Sequence, residues 1–319
     1  MPPRPQLKPL GHVFNPIPIP IPIPLHKRSP PLRIGSVTSP QAHQIYISPY
    51  ISSFENKCSN RAFSSSSSPR TTLPTPPTRW YSDLKARLGK CIMFGCSREQ
   101  AQRAAGVIRS FTTEWRILTA GAEGFLTGGR RGLENQQVVW GEMDSFGHVN
   151  NANYIRYAES ARVNWIIHFA SVDPRNGARW RELMTPTGTG LIMKSIKAEY
   201  KFPMTYPDTI SAYHKLRFEP SSSDTSLVLD CIILSHSHKR VAARTEEDVV
   251  VYDYRAARKT PVPPFALDMF RDIWRLQEEE VCRARARIWG LVGEVEKLEK
   301  ETWDRAGAVE DLGAAGSKS

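Results

Sequence analysis

Apolar and polar positions alternate along four successive segments in the second half of the chain. The alternation covers residues 192–202, 210–218, 226–235 and 240–254, and a period of two is the pattern of a strand with one buried face. Turn residues interrupt it at 206–209 and 220–224. We therefore predict four strands that pair in antiparallel fashion with one wet face.

A helical spacing precedes these strands. Apolar residues four, three, four and four positions apart form one face of a helix, namely Tyr154, Ala158, Ala161, Trp165 and Phe169. Upstream, the β-branched and aromatic run 138–140 predicts another strand, and the run 145–147, which ends in Gly147, predicts a tight turn. Asn150 or Asn151 offers a side-chain oxygen to cap the helix. A strand, a helix and four strands make an α+β architecture.

Two further helices flank this region. Ser97 and Gln100 have the spacing of a capping box, and apolar residues then recur every three or four positions until Gly121 and Gly124 end the pattern. Beyond residue 263, a second long stripe predicts a helix that is either docked or part of a coiled coil. Its apolar members are Phe270, Trp274, Val281, Ala284, Ile288, Leu291, Val295 and Leu298.

The positive charge lies mainly at the beginning of the chain. The net charge is +11 overall, but residues 1–80 carry nine bases and one acid, which leaves only +3 for the remainder. A nucleic-acid site requires basic residues clustered on the folded part, so we expect no nucleic-acid partner. The five cysteines show neither CxxC pairing nor Cys/His ligand spacing, and no apolar run is long enough to span a membrane. We expect no metal and no cofactor.

Residues 1–79 form a proline- and serine-rich segment. They hold 17 of the 25 prolines, and proline at alternate positions prevents both helices and central strands. One interpretation is a disordered tail. The other is a mitochondrial presequence that directs the protein to the matrix, because the segment is basic, rich in serine and almost free of acids. The run 61–64, Arg-Ala-Phe-Ser, resembles a matrix-processing site.

The densest polar sequence lies between the predicted strand and the central helix. It reads Trp140-Gly-Glu-Met-Asp-Ser-Phe-Gly-His-Val-Asn-Asn-Ala-Asn-Tyr154, and it resembles the D-x-x-G-H-V-N-N-x-x-Y signature of the 4-hydroxybenzoyl-CoA thioesterase-like family of hotdog-fold acyl-CoA thioesterases, here as a fungal-type mitochondrial member. The resemblance covers roughly residues 136–263. It implies a hotdog fold, in which a curved antiparallel sheet wraps around one long helix.

The resemblance also implies an active site. Asp144 is the expected carboxylate, acting as general base or as nucleophile, and the start of the helix is the expected oxyanion site. His148 would contact the thioester or hold the loop, and Asn150 would cap the helix, brace the loop or touch substrate. Glu159 would be a second carboxylate or a partner of Arg162 or Arg156. The implied substrate-binding residues are Gly147, Val149, Asn151 and Tyr154.

Two functions follow as hypotheses. The first is hydrolysis of an acyl-CoA or acyl-carrier-protein thioester by a homodimer or higher homo-oligomer, which is how the family assembles. The second is a catalytically inactive hotdog that serves as a structural or assembly subunit in mitochondria, because the flanking helices resemble docking elements. The expected division is a leader at 1–79, a helical extension at 80–129, a hotdog domain at 130–263, and a long helix with its tail at 264–319.

The leader generates the first prediction. We expect the mature protein to begin close to Phe63 or Ser64, because Arg61 lies at a suitable offset for matrix processing. N-terminal sequencing of the protein isolated from mitochondria checks this. An intact Met1 or a cytosolic location would contradict it.

Overall fold

The structure is a computed structural model in which residues 73–310 are described. The processing site expected at 61–64, and all but the last residues of the predicted leader, lie outside this range. Residues 73–79 lie against the C-terminal part of the chain, where the carbonyl oxygens of Leu73 and Pro74 accept hydrogen bonds from Arg285 and Trp289.

Five long strands and one short strand form a single antiparallel sheet. The strands are β1 (Gly132–Val138), β2 (Thr189–Tyr200), β3 (Asp208–Leu216), β4 (Ser226–Ser235), β5 (Arg240–Asp253) and β6 (Arg258–Lys259). Their order is β1-β3-β4-β5-β2, with β6 paired to the end of β5. The four alternating segments of the sequence therefore correspond to β2, β3, β4 and β5.

The helices are α1 (Trp80–Met93), α2 (Arg98–Gly121), α3 (Asn151–Val172), α4 (Gly177–Glu182) and α5 (Pro264–Thr302). The α3 helix lies on the inner face of the sheet. All five residues of its predicted apolar stripe are buried, namely Tyr154, Ala158, Ala161, Trp165 and Phe169. Cys231 and Ile233 of β4 pack against it from the sheet side. This is the predicted α+β hotdog fold.

A strand does precede α3, as predicted, but it covers other residues than the predicted 138–140. The observed β1 ends at Val138, and Trp140–Glu142 form a turn of 3-10 helix instead. The actual strand is polar and irregular, since its pairing with β3 shifts between Leu133 and Gln136 and Asn135 has a φ of +56°. A bulged, mostly polar strand has no clean alternation from which to predict it.

A layer of three helices covers part of the outer face of the sheet. α2 begins at Ser97 with the predicted capping box, whereas α1 was not predicted. Together with α5, these helices bury a cluster that includes three outward-facing residues of β3 and β4, namely Tyr213, Ile232 and Leu234. In the described part of the chain, no helix is both long and apolar enough to cross a membrane.

The predicted long C-terminal helix is present and docked. The first turns of α5 enter the inner core, where the ring of Phe270 stacks on that of Trp165, and its later turns pack in the outer cluster with α1 and α2. Between these two parts, the amide of Gln277 bonds both the N–H and the C=O of Leu216, at 2.9 and 3.0 Å. The helix therefore joins the two cores and completes the hydrogen bonding at the end of β3.

A charged group lies in the middle of the inner core. Glu247 of β5 is fully buried, and its Oε2 accepts hydrogen bonds from Arg162 of α3 at 2.5 Å and from His214 of β3 at 3.1 Å. Its Oε1 accepts one from Thr245 at 2.9 Å. A buried carboxylate is tolerated only when its charge and its lone pairs are matched in this way.

The pKa of Glu247 reflects that balance. Burial raises the pKa, but the hydrogen bond and charge of His214 together with Arg162 outweigh burial and lower it from 4.5 to about 2. Because the pKa is lower in the folded state than in the unfolded state, the stabilisation is fully present above pH 4.5 and is lost as the pH falls towards 2.

The ion pair generates a stability prediction. Arg162→Met should lower the free energy of unfolding by about 3–5 kcal/mol, since it leaves the buried carboxylate without its cation. Arg275→Met is the matched control, because it removes an exposed ion pair with Asp272. This substitution should change the free energy of unfolding by less than about 1 kcal/mol. Urea unfolding measures the free energy for both variants.

Glu247→Gln should flatten the decline in stability between pH 4.5 and 2, because it removes the carboxyl group that titrates there. An unchanged decline would contradict the role assigned to Glu247.

Candidate active site

The signature sequence folds into a tight loop held by its own backbone. The N–H of Asp144 donates to the carbonyl of His148 at 2.8 Å, and the N–H of Gly147 donates to the carbonyl of Asp144 at 3.0 Å. The Oδ1 atom of Asp144 accepts from the N–H of Phe146 at 2.9 Å. Gly147 has a φ of +74°, which glycine adopts without strain. The loop therefore fixes the position of Asp144 while its Oδ2 has no partner among the described residues.

The α3 helix begins directly after this loop. Asn150 is its N-cap, and the side-chain oxygen accepts from the N–H of Ala152 at 2.9 Å. Asn150 therefore caps the helix, which was one of the roles considered for it. The N–H of Asn151, the first helical residue, donates to no described group. An unpaired N–H at the positive end of a helix is a suitable site for a developing oxyanion.

A cavity of about 490 Å³ opens where the loop meets the end of β2. Of the residues predicted for the site, the cavity brings together five: Asp144, His148, Val149, Asn151 and Tyr154. Its other lining residues are Phe146, Tyr200, Lys201, Phe202 and Pro203. One carboxylate, one imidazole and a helix N-terminus therefore face a mixed aromatic and polar space.

Three predicted site residues lie apart from this lining. Gly147 shapes the loop, and Asn150 has its side chain on the helix terminus. Glu159 lies on the exposed face of α3 and makes no ion pair within the described residues. The expected pair with Arg162 is not formed, because the guanidinium of Arg162 bonds the buried Glu247 instead.

The far wall of the cavity comes from a segment that sequence reasoning missed. The hydroxyl of Tyr154 accepts from the N–H of Met204 at 3.1 Å, and the N–H of Val149 donates to the carbonyl of Met204 at 2.8 Å. The hydroxyl of Tyr200 donates to the carbonyl of Asn151 at 3.3 Å. These bonds join the loop and helix to the end of β2. The one local signal was an aromatic residue followed by proline, Phe202-Pro203, where the alternation stops.

A second carboxylate braces the loop without lining the cavity. Glu142 accepts from the hydroxyl of Tyr157 at 2.7 Å and from the N–H of Val139 at 2.9 Å. Burial and the hydrogen bond to Glu142 both raise the pKa of Tyr157 above its usual 10. The phenol therefore stays protonated and donates to Glu142 at any physiological pH.

The arrangement suits reactions at a carbonyl group. The free oxygen of Asp144 can accept a proton from water or attack carbon, and the helix terminus can hold a negatively charged oxygen. The described residues contain no group of three or more His, Cys, Asp or Glu side chains placed to hold a metal ion.

Comparisons with solved structures gave partial matches. A thioesterase from Thermus thermophilus, complexed with coenzyme A and zinc, is 20% identical over 46% of this chain and 97% of that chain, with a TM-score of 0.35. A putative thioesterase from Pseudomonas aeruginosa is 26% identical over 42% and 94% of the respective chains, also with a TM-score of 0.35. YbaW, a probable thioesterase from Escherichia coli, is 19% identical over 44% and 94%, with a TM-score of 0.33.

A search among proteins of curated function found no match. A comparison with protein families found one, and it covers residues 138–270. This segment holds the loop, α3, β2 to β6 and the start of α5, and so includes every residue that lines the cavity. Over these residues the chain matches the thioesterase-like superfamily.

Proposed function

We propose that the protein hydrolyses an acyl-CoA or acyl-carrier-protein thioester in the cavity between the 144–149 loop and the end of β2. The observation that carries this is the common cavity shared by Asp144, His148 and the N-terminus of α3. The match of residues 138–270 to the thioesterase-like superfamily supports it. The signature sequence supports the narrower 4-hydroxybenzoyl-CoA thioesterase-like assignment.

The chemistry needs one base or nucleophile and one oxyanion site. With Asp144 as base, a water gives a proton to the carboxylate while its oxygen bonds the acyl carbon, and the thiolate then leaves and takes up that proton. With Asp144 as nucleophile, its oxygen bonds the acyl carbon, the thiolate leaves, and water cleaves the resulting anhydride. In both routes, the N–H of Asn151 stabilises the negative oxygen.

The remaining lining residues have supporting roles. His148 either bonds the thioester or holds the loop. Val149 and Tyr154 are buried and form the floor beside the helix start. Phe146 is 84% exposed at the mouth of the cavity, where an apolar ring can cover part of an acyl group.

The inactive structural subunit is the second candidate. It was motivated by flanking helices that resemble docking elements. In the structure, α1, α2 and α5 pack on one another and on the sheet, while Ile92, Met93, Ile108 and Leu276 of these helices stay exposed. The helices therefore pack mainly within the chain, and the structural subunit remains the alternative to hydrolysis.

We also propose that the chain acts in the mitochondrial matrix as a homodimer. The basic, serine-rich leader supports the location. The dimer is supported by β2, a 12-residue strand at the edge of the described sheet, because proteins usually cover long edge strands. The cavity lies at the end of the same strand, so a partner paired there would lie beside it.

The sharpest test concerns Asp144. Asp144→Asn keeps an oxygen that can accept from the N–H of Phe146 but removes the negative charge, so kcat should fall by about 10²–10⁴-fold with little change in Tm. Steady-state hydrolysis of a panel of acyl-CoAs measures this, with the leader removed.

Asp253 provides the matched control. Its Oδ1 accepts from the N–H groups of Arg255 and Ala256 in a comparable turn away from the cavity, so Asp253→Asn should retain full activity. If the unaltered protein hydrolyses thioesters and Asp144→Asn is equally active, the site assignment is wrong. If the unaltered protein hydrolyses no thioester, the structural-subunit candidate becomes the preferred one.

The assembly prediction is independent of activity. A chain that begins at Leu73 should have at least twice the monomer mass by light scattering at micromolar concentration, because pairing through β2 satisfies its free backbone groups. A clean monomer would contradict the dimer and the placement of the cavity beside a partner.

A further inference from the structure

Glu142 connects the two parts of the candidate active site, although it does not line the cavity. It lies two residues before Asp144, at the end of the 3-10 turn Trp140–Glu142. Its backbone carbonyl accepts from the N–H of Asn150 at 2.9 Å and from the side-chain amide of Asn153 at 2.8 Å. The residue that leads into the loop is therefore bonded to the N-cap and the first turn of α3.

The side chain of Glu142 adds two hydrogen bonds, and both fall on one oxygen. Its Oε2 accepts from the hydroxyl of Tyr157 at 2.7 Å and from the N–H of Val139 at 2.9 Å. Tyr157 is buried in the cluster around the first half of α3, so its hydroxyl has a fixed position. A hydrogen bond to a carboxylate is about twice as strong as one between neutral groups. The pair therefore holds the entry of the loop against a rigid point on the helix.

The position of the loop relative to the helix matters for the chemistry. The carboxylate of Asp144 belongs to the loop and the N–H of Asn151 to the helix, and both must reach the same acyl carbon. Bonds inside the loop fix its shape but not its tilt towards α3. Because the exit of the loop is the helix itself, this tilt is set at the entry, by Glu142. A shift of about 1 Å between reacting groups can lower a rate by about 10²-fold.

We propose that Glu142 is a positioning residue of this site, which together with Tyr157 sets the Asp144 carboxylate against the N–H of Asn151. The proposal rests on the proposed function, because it takes these two groups to act on one acyl carbon. It adds a role for a carboxylate that the substrate does not touch. The competing role for a carboxylate so close in sequence to Asp144 is that of the general base, and one amide variant distinguishes the two roles.

Glu142→Gln is that variant. A glutamine oxygen in the place of Oε2 can accept both side-chain hydrogen bonds, and residues 73–310 place no donor on Oε1, where the amide nitrogen would lie. Positioning therefore predicts that Glu142→Gln keeps most of the activity. Glu142→Ala loses both bonds and should lower kcat by about 10²-fold with little change in KM. Loss of a general base would cost about 10²–10⁴-fold in both variants, and that result overturns the proposal.

Tyr157→Phe tests the other half of the pair. It removes only the hydroxyl and should lower kcat by less than Glu142→Ala does, since the bond from Val139 remains. Tyr213→Phe is the matched control, because the hydroxyl of the buried Tyr213 also donates to a glutamate, Glu134, at 2.7 Å. Tyr213 packs in the outer cluster and does not line the cavity, so its variant should keep the kcat of the unaltered protein. An equal loss of kcat in both tyrosine variants would indicate general destabilisation and overturn the positioning role.

Hydrogen exchange gives a readout that needs no substrate. In the full chain, the amides of residues 139–151 should exchange faster in Glu142→Ala and Tyr157→Phe than in the unaltered protein. Glu142→Gln and Tyr213→Phe should leave the exchange of this segment unchanged. Unchanged exchange in Glu142→Ala overturns the proposal, whether or not thioesters are hydrolysed. If no acyl thioester is hydrolysed but exchange follows the expected pattern, the proposed function fails and the placement of the loop by Glu142 stands.

Discussion

The ion pair between Arg162 and Glu247 fixes how α3 sits on the sheet. Apolar contacts along the helix are non-directional, so they allow small rotations of α3 about its own axis. A buried carboxylate that needs both Arg162 and His214 allows far less, because any rotation leaves a charge unpaired in the core. The N-terminus of the same helix points at the cavity, so the position of Asn151 relative to Asp144 depends on a contact three helical turns away.

Local patterns predicted the elements whose periodicity was clean. Strands β2 to β5 and the buried face of α3 followed from periods of two and 3.6, and the start of α2 followed from its capping box. The extent of β1 was missed, because four polar residues and a bulge hide its alternation. The pairing of Arg162 was missed for a different reason: its partner is 85 residues away, and no spacing rule within a helix reaches that far.

In the candidate site, too, sequence patterns predicted the neighbours along the chain but not the partners that are distant in sequence. The loop and the helix start form one continuous sequence, so Asp144, His148 and Asn151 could be proposed together. Tyr200 and Phe202 join them only because β2 runs back alongside α3, with Met204 bonded to both Val149 and Tyr154. Glu159 illustrates the opposite case, since closeness in sequence suggested a shared site while its position on the helix turns it towards solvent.

The α5 helix affects when the chain can finish folding. It supplies Phe270 to the inner core and Ile288 and Leu291 to the outer one, and through Gln277 it completes the end of β3. Domains fold as units while the ribosome makes the chain from its N-terminus. Here, neither core is closed until residues 264–302 have emerged, so the polypeptide remains only partly folded through most of its synthesis.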